Sequence, residues 1–254
     1  LSVDAVGRLC ATASSDKTVR LWELATGRLV RVLRPPIDNV KDGRLHSVAL
    51  SPDGKTVACS GVTGQAWNGN VCIYFFEVES GKLVRVLPGH PDAVQRLSYS
   101  KDGQYLVASL LGRGGIRLYH GVTLETLGRD SDYAGDCYGV AFHQAGGKTL
   151  LAATSFDGFI RLYVVRADGL ALLEKTRAHS GKQPFGVSFD PAGAQLAVGF
   201  LDTPAVELWK CGAKLVAGSL PSAAGLRAGN LTVPAWGPDG ALYYVGRGAG
   251  NIYR

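Results

Sequence analysis

Short runs in which apolar and polar residues alternate with a period of two fill this chain, and turn residues separate them. Val19-Arg20-Leu21-Trp22 alternates between a turn at Ser15-Asp16-Lys17-Thr18 and another at Ala25-Thr26-Gly27-Arg28, the pattern of a half-buried strand in a hairpin. The alternation predicts strands over 8–15, 18–24, 45–51, 55–62, 70–78, 83–87, 93–100, 104–110, 115–119, 137–143, 149–154, 159–165, 183–190, 195–200, 205–210, 231–236 and 241–245. No stretch shows the 3.6-residue periodicity of an amphipathic helix. Ser51-Pro52-Asp53-Gly54 is a turn with a mechanism: Pro presets φ at its second position and Gly accepts the positive φ that closes the hairpin. Pro234 lies inside an expected strand and so marks that strand as an edge.

The pattern repeats. Gly81–Leu87 nearly copies Gly27–Leu33, and Ser155–Tyr163 copies Ser14–Trp22 with conservative changes. Two independent markers recur about every 45 residues: the turn glycines Gly7, Gly54, Gly103, Gly147, Gly193 and Gly240, and the strand-ending aromatics Trp22, Tyr74, Tyr119, Tyr163, Trp209 and Tyr253. The one long interval holds an insertion at Thr63–Gly69. The expected units are 1–33, 34–87, 88–128, 129–176, 177–218 and 219–254, each with about four short strands.

Composition changes this picture little. The 254 residues are 46% hydrophobic and 19% charged, which suits a folded chain. No apolar run reaches the ~18 residues of a membrane helix. The formal net charge of +6 admits a nucleic-acid or anionic partner, but Arg20, Arg28, Arg31, Arg85, Arg117 and Arg161 recur at repeat positions between apolar residues, as outward-facing strand residues do. Nucleic acid is therefore the lesser expectation. The five cysteines are irregularly spaced, without a C-x-x-C pair, and read as buried free thiols. With no Met and with ends that fall inside repeat units, the chain reads as a piece of a longer one, and its compartment, cytoplasmic or periplasmic, stays open.

The repeat, the Gly89-His90 dipeptide, Ser14-x-Asp16-x-Thr18 and the spacing of Asp16 before Trp22, Asp157 before Tyr163 and Asp202 before Trp209 resemble the WD-repeat β-propeller family over the whole chain. The resemblance implies an all-β fold, a β-propeller of four-stranded antiparallel blades. It would be a single partial domain, 1–254, incomplete at both ends, from a parent of seven blades, or six. It also implies a structural hydrogen-bond network drawn from Asp16, Trp22, His90, Asp157, Tyr163, His179, Asp202 and Trp209, with the unit of His179, Asp202 and Trp209 nearest to the full set. The wording around Arg34-Pro35-Pro36 and Leu45–Gly54 is similar to bacterial WD-repeat segments joined to a caspase-like peptidase domain, so an effector fused in cis is a further expectation.

Catalytic and metal chemistry find little support. Asp136-Cys137-Tyr138-Gly139 with His90 upstream faintly resembles a Cys–His pair, but both residues fall at repeat positions. The histidines lack ligand spacing, and Gly112-Arg113-Gly114-Gly115 has no following Lys-Ser/Thr. No metal and no cofactor are expected. The functional expectation is a non-catalytic protein-binding platform or scaffold module; a propeller hydrolase or lactonase, or a nucleic-acid or anionic-surface binder, are the alternatives. Binding is expected on the face of the longer, irregular connections, since long loops on a rigid scaffold carry recognition. There, Asp38, Lys41, Arg44, Trp67, Tyr133, Asp136, Lys182, Phe185 and Arg227 mix aromatic, basic and acidic chemistry, with Trp67 and Tyr133 as the leading anchors.

Overall fold

A computed structural model describes residues 1–36, 43–63, 71–212, 214–218, 231–246 and 252–253. They divide into two compact units, 1–131 and 132–254. Among the described residues every regular element is a strand.

The first unit holds three four-stranded antiparallel meanders. The first runs β1 (Ser2–Val3), β2 (Leu9–Ala13), β3 (Val19–Glu23), β4 (Arg28–Leu33). The second runs β5 (Arg44–Leu50), β6 (Thr56–Val62), β7 (Val71–Glu77), β8 (Leu83–His90). The third runs β9 (Val94–Tyr99), β10 (Tyr105–Leu110), β11 (Ile116–His120), β12 (Thr126–Asp130). The second unit repeats the motif with β13 (Cys137–Ala145), β14 (Lys148–Ser155), β15 (Phe159–Arg166), β16 (Gly169–Arg177), then β17 (Pro184–Phe189), β18 (Gln195–Phe200), β19 (Val206–Cys211), β20 (Leu215–Ala217). A last sheet shows three described strands, β21 (Leu231–Trp236), β22 (Leu242–Gly246) and β23 (Ile252–Tyr253). These sheets are blades of the β-propeller kind, and the fold is all-β. The outer strands β12, β16 and β20, whose bounds the alternation leaves undefined, complete their blades.

Turn chemistry explains why each meander closes. In Ser51–Gly54, Asp53 Oδ1 accepts from Ser51 Oγ at 2.6 Å and from Lys55 N at 3.0 Å, while Ser51 Oγ accepts from Thr56 N at 2.9 Å. Ser100, Asp102 and Tyr105 reproduce the same three bonds one blade later. Gly54 and Gly103 sit at φ 70° and 74°, where a Cβ is strained.

The cores lie between successive blades of each unit. Leu9, Val19 and Leu21 of the first blade pack with Val48, Val57, Cys59 and Tyr74 of the second. Ile73 and Phe75 of the second pack with Val94, Leu97, Leu106 and Tyr119 of the third. In the other unit Ile160 and Leu162 meet Val187, Leu196, Phe200 and Trp209. Each fully buried side chain of this size contributes about 1.5–3 kcal/mol. The outermost strands β4 and β8 instead expose apolar residues, Val32 and Val84 among them, interleaved with Arg31 and Arg85, and charges on an outer edge discourage strand addition. Four cysteines are buried and Cys211 is half-buried, all as free thiols, and burial raises the pKa of Cys59 and takes Cys211 to about 11.

Candidate binding surface

In each four-stranded sheet the turns from the first to the second strand and from the third to the fourth lie at one end. The strand ends that lead into the second-to-third connection and onward to the next sheet lie at the other. This second end is where the innermost strands depart from regular pairing. In β5, Leu45 pairs with Gly61 and Ser47 with Ser60, so His46 is an extra residue. In β9, Gln95 is extra between Val94 and Arg96. In β13, Tyr138 is extra between Cys137 and Gly139. In β17 the shift spans Phe185 and Gly186, and β21 shows the same shift between Leu231 and Val233. A bulge twists the strand and re-aims its side chain. Close packing holds the irregularity: a Cβ on Gly139 would run into Thr154 Oγ1 and the Phe185 carbonyl, two groups that bond each other at 2.8 Å.

The re-aimed side chains meet their counterparts on the next blade. In the second unit Tyr138 stacks on Phe185, with ring centroids 4.8 Å apart and 28° between planes, and on Phe156 of the β14–β15 turn at 4.3 Å. All three rings are half-buried, so a short aromatic ladder borders solvent. Tyr138 Oη donates to Asp136 Oδ2 at 3.5 Å, and burial together with that carboxylate raises the phenol pKa. Lys182 is exposed on the link that leads into β17. In the first unit the corresponding residues are polar: the Gln95 side-chain amide lies 3.0 Å from His46 Nδ1.

Aspartates pin the links at this end. Asp202, in the β18–β19 turn, accepts from Lys182 N at 2.8 Å and Gln183 N at 3.1 Å, and Asp157 in the β14–β15 turn accepts from Ala134 N at 3.3 Å. Burial would raise the Asp157 pKa, but the hydrogen bonds and charge of Arg161 prevail and lower it.

Several expected roles change. Tyr133 is 3% exposed; its hydroxyl lies 2.9 Å from the Tyr163 hydroxyl and its ring lies 3.8 Å from the Arg161 guanidinium, so it is an interior residue rather than a surface anchor. Its place is the one His90 fills in the third blade, where Nε2 lies 2.8 Å from the Tyr119 hydroxyl and Nδ1 lies 3.0 Å from the Val71 carbonyl. His90 is fully buried, whereas His179, at the matching step before Trp209, is exposed and only flanks the indole at 5.0 Å. The buried Glu207 replaces the expected His–Asp–Trp network there: it accepts from His179 N at 2.7 Å, from Ser180 N, and from Trp209 Nε1 at 3.0 Å. Trp22 is half-buried and donates to Thr12 Oγ1 at 3.0 Å, while Asp16 is exposed and caps its own turn through Thr18 and Arg20. Thr12 and Arg20 stand between them: Thr12 Oγ1 donates to the Arg20 carbonyl at 3.4 Å and the Arg20 guanidinium to Asp16 Oδ2 at 2.7 Å, so the link is indirect.

Of the remaining expected contact residues, Arg44, Asp136, Lys182 and Phe185 stand at the bulged end. Asp38, Lys41, Trp67 and Arg227 lie outside the described residues. The connections at that end are also less uniform than expected, since β8 extends to His90 and its link to β9 is short. The bulge residues His46, Gln95 and Tyr138 escape a reading based on loop length, although each stands at nearly the same step before its unit's turn glycine. Among the described residues no group of three or more His, Cys, Asp or Glu is placed to hold a metal. No described helix is long and apolar enough to cross a membrane.

Residues 1–23 and 81–120 match the family described as WD domain, G-beta repeat. The chain carries WD repeats. It is 28% identical over 153 residues, 60% of its length, to an uncharacterised WD repeat-containing protein of Synechocystis, of which it covers 40%. It is 34% identical over 100 residues, 36% of its length, to a WD repeat-containing protein of Arabidopsis thaliana, of which it covers 29%. A ribosome biogenesis protein of Candida glabrata shares 34% identity over 97 residues, 35% of the chain and 11% of that protein. The WD-repeat chain thus spans less than half the length of these relatives. The paired markers of the repeat fall inside both matched stretches: Gly7 and Trp22 in the first, His90, Gly103 and Tyr119 in the second.

Proposed function

We propose that this WD-repeat chain is a non-catalytic protein-binding platform, and that its contact surface is the bulged end of the blades. The observation that carries this is the Phe156–Tyr138–Phe185 ladder. Three stacked rings left half-exposed, with Asp136 bonded to Tyr138 and Lys182 exposed on the link into β17, give a large contact area at low cost in side-chain entropy. Aromatic anchors of this kind dominate interface energetics. The ring faces are largely occupied by one another, so the ladder presents edges, which suits apolar side chains and peptide carbonyls better than a caged cation. The relative named as a ribosome biogenesis protein supports a role in assembly. By sequence, Asp38, Lys41, Arg44, Trp67 and Arg227 are further proposed contact residues.

The test is capture of partners by the intact chain and by two variant sets. Tyr138→Ala, Phe185→Ala and Lys182→Glu should each lower capture of the same partner at least ten-fold while leaving the denaturation midpoint near that of the parent. Asp53→Ala and Lys101→Ala, at the opposite end, should not. Equal loss from both sets, or loss from the opposite end alone, overturns the assignment.

A further inference from the structure

Three cations surround one ring in the fourth blade, and only two of them meet an acid. Phe159, the first residue of β15, has the Arg177 guanidinium 4.6 Å from its ring centroid, the Lys175 ammonium at 5.0 Å and the Arg161 guanidinium at 5.7 Å. Arg161 is paired with Asp157 at 2.5 Å, and Lys175 with Asp132 at 2.5 Å. Among the described residues Arg177 joins no ion pair, and its guanidinium makes no hydrogen bond. One positive charge is left without a counter-ion, on a residue that is exposed.

That guanidinium nevertheless has a fixed place. Phe159 and Arg177 stand directly opposite each other in β15 and β16, so ring and guanidinium share one face of the sheet. A Cβ on Gly158 would lie 3.1 Å from Arg177 Nη1 and 3.7 Å from the Lys182 carbonyl oxygen. The cation therefore sits against the β14–β15 turn, close to the link into β17, at the bulged end of the blade. Gly158 is two residues beyond Phe156 in that same turn, and the Phe156 ring belongs to the aromatic ladder. A ring contact holds the guanidinium by its face and leaves N–H groups on its edge for a ligand.

We infer that Arg177 receives a carboxylate of an acidic residue on the protein partner that seats on the ladder. A guanidinium steadied by an aromatic ring offers two parallel N–H groups, the pattern that a carboxylate accepts in a bidentate pair. The charges favour that occupant. One uncompensated positive charge matches one carboxylate, whereas a phosphate dianion calls for more, and the two other cations at this ring are already paired. Arg177 then selects the partner by charge, while the ladder supplies apolar area. This assignment rests on the platform reading, because the partner is the same.

The probe is a fluorescein-labelled Gly-Ser peptide that carries one Phe between two Glu, titrated by polarisation against the full chain and compared with its Gln counterpart. At low salt the Glu peptide should bind about three- to five-fold more tightly, the size expected of an exposed ion pair, and concentrated salt should shrink the difference. Arg177→Gln should remove the difference and Arg177→Lys should keep part of it. Arg177→Glu should turn it into a preference for the Lys counterpart. All three should keep a denaturation midpoint near that of the parent. Phe159→Leu, which keeps the charge but frees the guanidinium, should narrow the difference. No saturable binding of the Glu peptide, equal binding of the Glu and Gln peptides, or full preference in a folded Arg177→Gln chain overturns the inference. A phosphoserine counterpart that binds at least ten-fold more tightly than the Glu peptide assigns a phosphate site and overturns it too. Tyr138→Ala should weaken both peptides and leave their ratio unchanged. If it weakens neither, the platform reading fails while the Arg177 assignment stands.

Discussion

The Tyr133 and Tyr163 hydroxyls lie 2.9 Å apart, thirty positions apart in sequence, and this pair occupies the place of the His90–Tyr119 pair one blade earlier. The two pairs solve the same problem: each ties the segment that enters a blade, the end of β8 at His90 and the link at Tyr133, to that blade's third strand by a buried polar bond. A Tyr at this place also covers the Arg161 guanidinium with its ring, which a His does not do in the third blade. Tyr133→Ala should therefore cost about 3–5 kcal/mol of stability, and Tyr133→Phe, which loses only the hydroxyl bond, about 1 kcal/mol. Urea midpoints check both. An unchanged midpoint in Tyr133→Ala with loss of partner capture would return Tyr133 to the surface role.

Arg161 is wholly buried and its charge is met at 2.5 Å by Asp157, with the Asp132 carbonyl also accepting at 2.6 Å. Removing one partner leaves a buried charge without its counter-ion. Asp157→Asn should cost about 3–5 kcal/mol, whereas the double replacement Arg161→Met, Asp157→Leu should cost much less than the sum of the single changes. A double-mutant cycle reads this directly; strict additivity contradicts it.

Glu207 satisfies three donors from within the fifth blade, and it is 3% exposed. Glu207→Ala orphans all three and should cost about 3 kcal/mol, with Glu207→Gln losing less because one oxygen still accepts. Trp209 fluorescence should report the change, since its indole N–H is one of the orphaned donors.

His90 gives the fold a pH dependence with a definite sign. Burial, aided by the Arg117 charge and only partly offset by the Val71 carbonyl, lowers its pKa to about 4, below the value near 6.5 of an unfolded chain. Between those values the unfolded state binds the proton and the native state does not. Stability is therefore full above about pH 6.5, falls as the pH drops toward 4, and loses about 3 kcal/mol in all from this residue. Denaturant titrations at pH 7, 5.5 and 4.5 should show the fall. In His90→Leu the baseline stability drops, but the slope contributed by this residue disappears.

The repeat, the strands and their turns were determined by the sequence alone, because they depend on neighbours along the chain. Alternation sets which face of a strand is apolar, and Ser51-Pro52-Asp53-Gly54 closes its hairpin with its own side chains. The steps between His90 and Tyr119 and between Tyr133 and Tyr163, 29 and 30 residues, are nearly equal, but a change of residue type hides the second pair from a reading of the sequence. What only the tertiary structure decided is where the register slips and what the slips bring together. A bulge costs little within its own hairpin and is selected by the blade beside it: Gly139 yields to the Thr154 hydroxyl and the Phe185 carbonyl, and Ser47 accepts from Leu97 N. Those contacts join residues far apart in sequence, so the alternation carries no trace of them. They turn His46 toward Gln95 and Tyr138 toward Phe185, and with that they set which side chains border solvent at that end of each blade.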